Sequence, residues 1–149
     1  MNVISLLTPK AQVAYLYEDF TIRQGLEKLR AHGYTAIPVL ARDGQYVGTV
    51  SEGDFLWHIL DREDNSLRTQ EKLPLRSVLR SAFNPAVRID VTLAQLLERS
   101  MHQSFIPVVD DRGAFVGIVT RQNIIRRLTT LKPEQPAARD EAGAPALSG

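Results

Sequence analysis

Short apolar runs alternate with amphipathic stretches along this chain, and the whole alternation occurs twice. Residues 13–17 and 86–89 are short runs rich in β-formers and predict strands. Ile22, Leu26 and Leu29 stand at i, i+4 and i+7, and Leu93, Leu96, Leu97 and Met101 repeat that stripe, so each set predicts a helix with one buried face. Apolar segments follow at 36–40 and 105–109, then glycine-containing turns at Arg42-Asp43-Gly44 and Asp111-Arg112-Gly113, then strands at 46–50 and 115–119. These are two hairpins. Ser51 and Thr120 each open a further helix, with Phe55, Leu56, Ile59 and Leu60, or Ile124, Ile125 and Leu128, expected to face inward. Each half reads β-α-β-β-α, which predicts an α+β fold with small sheets flanked by helices.

The halves are copies. Residues 37–54 and 106–123 align without a gap at an offset of 69, pairing Ile37 with Ile106, Pro38 with Pro107, Gly44 with Gly113, Gly48 with Gly117 and Val50 with Val119. Repeated order of this kind marks a duplicated unit. The expected organisation is a first repeat at 1–60, a polar linker at 61–76, a second repeat at 77–130 and a disordered tail at 131–149, where proline, alanine and glycine carry no apolar period.

Composition narrows the function. The chain has 149 residues, enough for one domain or two intimately packed halves. Eighteen Lys and Arg against seventeen Asp and Glu leave a net charge of +1, which argues against a nucleic-acid backbone as partner. The absence of cysteine excludes disulfides, thiolate metal sites and a cysteine nucleophile. No apolar run approaches the ~20 residues of a membrane span, and residues 1–10 lack the pattern of a secretory leader, so a cytoplasmic protein without a membrane partner is expected. His32, His58 and His102 show no metal-ligand spacing, and phosphate-loop, dinucleotide and nucleophile-elbow motifs are missing. The expectation is therefore no enzyme, no metal and no cofactor.

Two motifs carry chemistry. Ser51-x-x-Asp54 and Thr120-x-x-Asn123 can each be a helix cap, with a hydroxyl at the N-cap and a polar residue three positions on. The same geometry suits a nucleotide: a helix N-terminus favours phosphate, and a carboxylate or amide one turn in can bond a ribose diol. Pro38 and Pro107 lie within strands and cannot donate a ladder hydrogen bond, so each marks a sheet margin against which a base could rest. Trp57 is expected in the core or at a dimer contact.

Gly-Tyr-Thr-Ala-Ile-Pro-Val at 33–39, with Val-Gly-Thr-Val-Ser-Glu-Gly-Asp at 47–54, resembles a CBS domain, and 104–123 resembles a second one. Together they look like a tandem CBS pair, a Bateman module, over about residues 1–130. The resemblance implies two repeats packed about a pseudo-two-fold axis, two related clefts that typically bind adenine nucleotides, and pairing into a homodimer. It implies a first cleft from Ala14, Tyr34, Thr35, Ala36 and Pro38 with Thr120, Arg121 and Asn123. The second combines Ala86, Val87, Ser104, Phe105 and Pro107 with Ser51 and Asp54. The first has small Ala36 where the second has Phe105, and it has Arg121, a permanent cation suited to phosphate. Asp54 is the better ribose acceptor, but Glu52 beside it repels phosphate. A phosphorylated ligand is therefore expected in the first cleft. Gln12-Val13-Ala14-Tyr15 is also similar to small stand-alone CBS proteins that bind cyclic di-AMP, although those carry Lys at the place of Gln12 and two arginines at the place of Arg121-Gln122. These departures point to AMP, ADP or ATP. The resemblance implies a regulatory sensor acting on a separate protein, with a cyclic di-AMP receptor or a ligand-free dimerisation scaffold as alternatives.

Overall fold

The computed structural model describes residues 2–61, 68 and 71–130. The expected tail and most of the expected linker lie outside the described residues. The strands are β1 (Thr8–Pro9), β2 (Leu16–Tyr17), β3 (Ala36–Leu40), β4 (Tyr46–Ser51), β5 (Val87–Arg88), β6 (Phe105–Val109) and β7 (Phe115–Thr120). The helices are α1 (Ile22–His32), α2 (Glu52–Asp61), α3 (Leu93–Ser100) and α4 (Arg121–Thr130). One sheet runs β2-β3-β4 and the other β1-β7-β6-β5. In each, the hairpin is antiparallel and the preceding short strand joins in parallel, Leu16 opposite Val39 and Val87 opposite Val108. The two β-α-β-β-α units predicted by the repeat are both present.

Local chemistry fixes the ends of the elements. Thr21 and Gln24 form a reciprocal capping box at α1, and Thr92 and Gln95 form the same box at α3. Gly33 ends α1 in the left-handed conformation at φ 68°. Ile22 and Leu29 are buried as the stripe predicts, whereas Met101 falls beyond the last turn of α3 and is 73% exposed. Leu56, Leu60 and Ile125 also face outward rather than inward. The reason is rotational: α2 turns Asp54, Phe55, His58 and Ile59 toward the protein, so Leu56, Trp57 and Leu60 occupy the opposite face.

The cores cross the repeat boundary. Leu75 and Val78, in a 3-10 turn (Leu75–Val78), are buried with Leu16, Ile22, Ile37, Val39, Val50 and Phe55 of the first repeat. Val3 and Leu6, in the 3-10 turn Val3–Leu6, are buried with Val87, Leu96, Ile106, Val108, Val119 and Ile124 of the second. Each repeat's core is thus completed by the segment that precedes the other repeat. Leu75 N–H donates to Phe20 O (2.7 Å), and Ile22 N–H donates to Leu73 O (2.8 Å). The two hairpin turns also meet: Phe115 N–H donates to Gly44 O (2.9 Å), and Gln45 Nε2 donates to Arg112 O (2.8 Å).

The sheets differ at one edge. β1 pairs with β7, with Pro9 opposite Gly117, and a Cβ at Gly117 would collide with the Thr8 carbonyl. Beside Gly48, the equivalent of Gly117, the nearest atoms are only the tip of Leu79. Among the described residues, the strand that β1 adds to the second sheet has no counterpart in the first. Among the described residues no helix is long and apolar enough to cross a membrane.

Candidate functional site

A cavity of about 650 Å³ opens between the two repeats. One wall is the flank of β3. β2 pairs only with Val39 and Leu40, so among the described residues the edge of β3 away from β4 carries no strand at Ala36 and Pro38. Gln12, Val13 and Ala14 line the space there instead, and Tyr34, just past the Gly33 cap, stands at the rim. The facing wall is Ile118 and Thr120 of β7 with Arg121, Gln122 and Ile125 of α4. Thr8, Ser104 and Phe105 complete the lining.

The wall is neutral or cationic. Among the described residues no carboxylate lines it, and Arg121 is its one permanent charge. Arg121 Nε donates to Ser100 O (2.7 Å), which anchors the guanidinium while its chain begins α4. Its own N–H donates to Ser104 O (2.9 Å), as Glu52 N–H donates to Thr35 O (3.0 Å) in the other half. The side chain is therefore tethered at one nitrogen beside a helix N-terminus, a setting that favours an anion.

Of the residues expected in the first cleft, Ala14, Tyr34, Ala36, Pro38, Thr120 and Arg121 line this cavity. Thr35 and Asn123 do not. Thr35 is exposed and gives its carbonyl to Glu52. Asn123 N–H is capped by Thr120 Oγ1 (3.0 Å), and its side chain turns aside: Nδ2 donates to Thr8 Oγ1 (3.4 Å) and Oδ1 accepts from Arg126 (3.0 Å). Asn123 then borders a small hollow with Ser5 and Arg127.

The residues expected in the second cleft are distributed differently. Ser104 and Phe105 line the first cavity. Ser51 and Asp54 line a separate hollow of about 490 Å³ with Trp57, His58, Ser77 and Arg80. Ala86 and Val87 border a third, against α3. Pro107 is buried opposite Ile118. Asp54 already has partners within the protein on both carboxylate oxygens. One oxygen accepts from Ser51 N–H (2.8 Å) and Ser51 Oγ (3.0 Å), and the other accepts from Arg80 Nε. The Arg80 guanidinium in turn lies 3.7 Å over the Phe83 ring.

The protein's own side chains occupy the ground between Thr49 and Gln103. Tyr46 Oη shares a 2.7 Å hydrogen bond with Thr49 Oγ1 and donates to Asn84 O (2.8 Å). Asn84 Nδ2 donates to Thr49 Oγ1 (3.1 Å), and Gln103 Nε2 donates to Asn84 Oδ1 (2.9 Å) and to Pro85 O (3.0 Å). Thr49, Asn84 and Gln103 are buried, and Asn84 takes a left-handed φ of 57° to reach its place. Burial pushes the Tyr46 phenol up to about 12. By the pseudo-symmetry, Gln103 stands where Tyr34 stands in the first half, and Thr49 where Ile118 does. The polar network thus fills the position related to the open cavity.

Sequence reasoning missed Thr8, Gln12, Val13, Ile118, Gln122 and Ile125 as lining residues. Ile125 follows from Arg121 by helical spacing at i+4. Thr8 had no local signal, because its place depends on β1 joining the sheet of the other repeat.

A CBS domain model matches residues 4–61 and 76–130, and the chain belongs to the CBS domain family. It is 32% identical over 112 residues to a homoserine O-acetyltransferase of Methanohalophilus mahii, covering 75% of this chain but only 22% of that enzyme. Among solved structures, CbpB in complex with c-di-AMP superposes with a TM-score of 0.83 at 21% identity, over 95% of this chain and 91% of that one. CBSX2 in complex with AMP superposes with a TM-score of 0.73 at 22% identity, over 88% of this chain and 98% of that one.

Proposed function

We propose that this CBS protein is a regulatory sensor that binds one adenine nucleotide in the cavity bounded by Tyr34, Ala36, Pro38, Thr120 and Arg121. The observation that carries the reading is that cavity: about 650 Å³, free of carboxylates, with one tethered cation at a helix N-terminus. AMP in CBSX2 and c-di-AMP in CbpB, on the same fold, support the ligand class. The adenine rests against the uncovered flank of β3 and the phosphate meets Arg121. The ribose acceptor is not Asp54 or Asn123, since both are engaged within the protein. Thr120 and Gln122 stand beside Arg121 and take that role.

The reading assigns binding without turnover. Among the described residues no cluster of three His, Asp or Glu could hold a metal, and the cavity wall offers no carboxylate or histidine as general base. Nucleotide occupancy changes how the chain meets a separate regulated protein. Leu56, Trp57 and Leu60 of α2 and Ile125 of α4 are all more than half exposed and suit a second copy of the chain, giving a homodimer.

Thermal unfolding of dialysed protein tests the ligand class. At a hundredfold excess over Kd a ligand adds about 2.7 kcal/mol of stability. AMP, ADP or ATP should raise the melting temperature well beyond GTP or CTP. Equal shifts with GTP and ATP, or none with any nucleotide, remove the reading.

A further inference from the structure

Helices α2 and α4 are copies of one element at an offset of 69, and the same positions of each face outward. Glu52 corresponds to Arg121, Leu56 to Ile125, Trp57 to Arg126 and Leu60 to Thr129, and all eight are exposed. The two faces have diverged in character. On α2 the face is apolar, with Trp57 65% exposed and Glu52 at its start. On α4 it carries two arginines around a single large apolar side chain, Ile125.

Neither face is matched within the chain. Arg42 lies over the Tyr17 ring and Arg80 over Phe83, but among the described residues no cation lies over Trp57. Among the same residues no carboxylate pairs with Arg126, whose guanidinium donates to Asn123 Oδ1 (3.0 Å).

Each face supplies what the other lacks. With α2 of one copy on α4 of another, Arg126 meets the tryptophan ring, and Leu56 and Leu60 meet Ile125 and the arginine stems. A two-fold axis makes that contact twice, so all four faces of the pair are covered. Pairing like with like does less. Setting α2 on α2 covers the tryptophan face but leaves Ile125 and Arg126 in water, and setting α4 on α4 gathers arginines against arginines. Arg121 and Ile125 also line the nucleotide cavity, so a helix laid on α4 stands against the outer side of that wall.

We propose that two copies of this chain pair head to tail, α2 of each lying on α4 of the other and flanking the wall of its nucleotide cavity. This rests on the homodimer reading given above and fixes its orientation.

The chain has no cysteine, so introduced cysteines give an unambiguous cross-link. Leu56→Cys and Ile125→Cys are made singly in the full chain, equilibrated together and treated with a short bismaleimide. The mixture should yield covalent dimer, and each variant alone should remain a single chain on a denaturing gel. Covalent dimer from either variant alone overturns the orientation and leaves the homodimer reading intact, as does a parent of dimer mass by light scattering that gives no cross-link in any sample. A parent with the mass of one chain overturns both. An exchange of charge tests the cause. Trp57→Arg opposes Arg126 and should weaken the pair by about tenfold or more. Adding Arg126→Glu to the same chain should restore it, since the two new charges face each other only head to tail. A double variant that stays as weak as Trp57→Arg overturns the proposal.

Discussion

The two clefts of this molecule derive from one duplicated unit, and one is open where the other is filled by the protein's own side chains. In the first, Ala36, Tyr34 and Ile118 leave a space of about 650 Å³. In the second, Gln103 and Thr49 stand at the positions of Tyr34 and Ile118, and Gln103, Thr49, Asn84 and Tyr46 close the space with hydrogen bonds among themselves. The helix at the first cleft opens on Arg121, and the helix at the second on Glu52 with an Asp54–Arg80 ion pair. On the proposed reading the same backbone frame serves as a receptor where its groups are left free, and it is a clasp where they satisfy one another. Buried polar groups must find partners, and what differs is whether the partner is internal or arrives from solution.

The comparison breaks most directly at Arg121. If the first cleft is the receptor, Arg121→Ala should weaken AMP by about 10- to 150-fold and leave adenosine almost unchanged, since adenosine has no phosphate. Titration calorimetry with both ligands decides it, and equal AMP affinity in the variant places the phosphate elsewhere. Making the first cleft like the second is a close second in size. Ala36→Phe adds a ring to the cavity that Phe105 already lines and should cost AMP binding ~1–3 kcal/mol through overfilling, with the melting temperature of the free protein as the check on folding.

Breaking the clasp should leave the receptor alone. Asp54→Ala removes the capping carboxylate and unpairs Arg80, and should lower stability by about 0.5–2 kcal/mol in urea unfolding. AMP affinity should not change. A large loss of affinity in this variant would put the ligand in the second cleft. The smallest effect concerns Tyr46. Its phenol ionises near pH 10 in the unfolded chain and at about 12 in the folded one. The stability this provides is complete below pH 10 and is lost as pH rises from 10 to 12. Tyr46→Phe should cost about 1 kcal/mol at pH 8, from two lost hydrogen bonds, and should fall less steeply than the parent between pH 10 and 12. An identical slope for parent and variant would show that the phenol is not shielded.

The repeat made the fold legible. The hairpins and the caps at Ser51 and Thr120 follow from the matched residues at 37–54 and 106–123, and helices α1 and α3 from the period of the stripes. Rotation of the helices was less legible, because α2 is apolar on both faces: Phe55 and Ile59 turn inward while Leu56, Trp57 and Leu60 turn out. At the site, Ala36, Pro38 and Arg121 were readable by kind and position. Asp54 and Asn123 were legible as caps, and their further partners, Arg80 and Arg126, could not be read from the motif. The plug is invisible to any motif, since Tyr46, Asn84 and Gln103 come from three separate segments and Asn84 reaches its place through a backbone turn.

The exchange of the 3-10 turns between cores bears on how the molecule folds. Leu75 and Val78 belong to the core that begins at Leu16, and Val3 and Leu6 to the core that ends at Ile124. Closing the second core requires the two ends of the described chain to meet, a loop whose closure is entropically unfavourable before its contacts form. The first interior can close only once the chain extends through Val78, and the second draws Val3 and Leu6 from the start of the chain, so each repeat depends on residues outside its own β-α-β-β-α unit. Two fragments parted near residue 61 would each lack a piece of their own interior, and each would carry the piece the other needs.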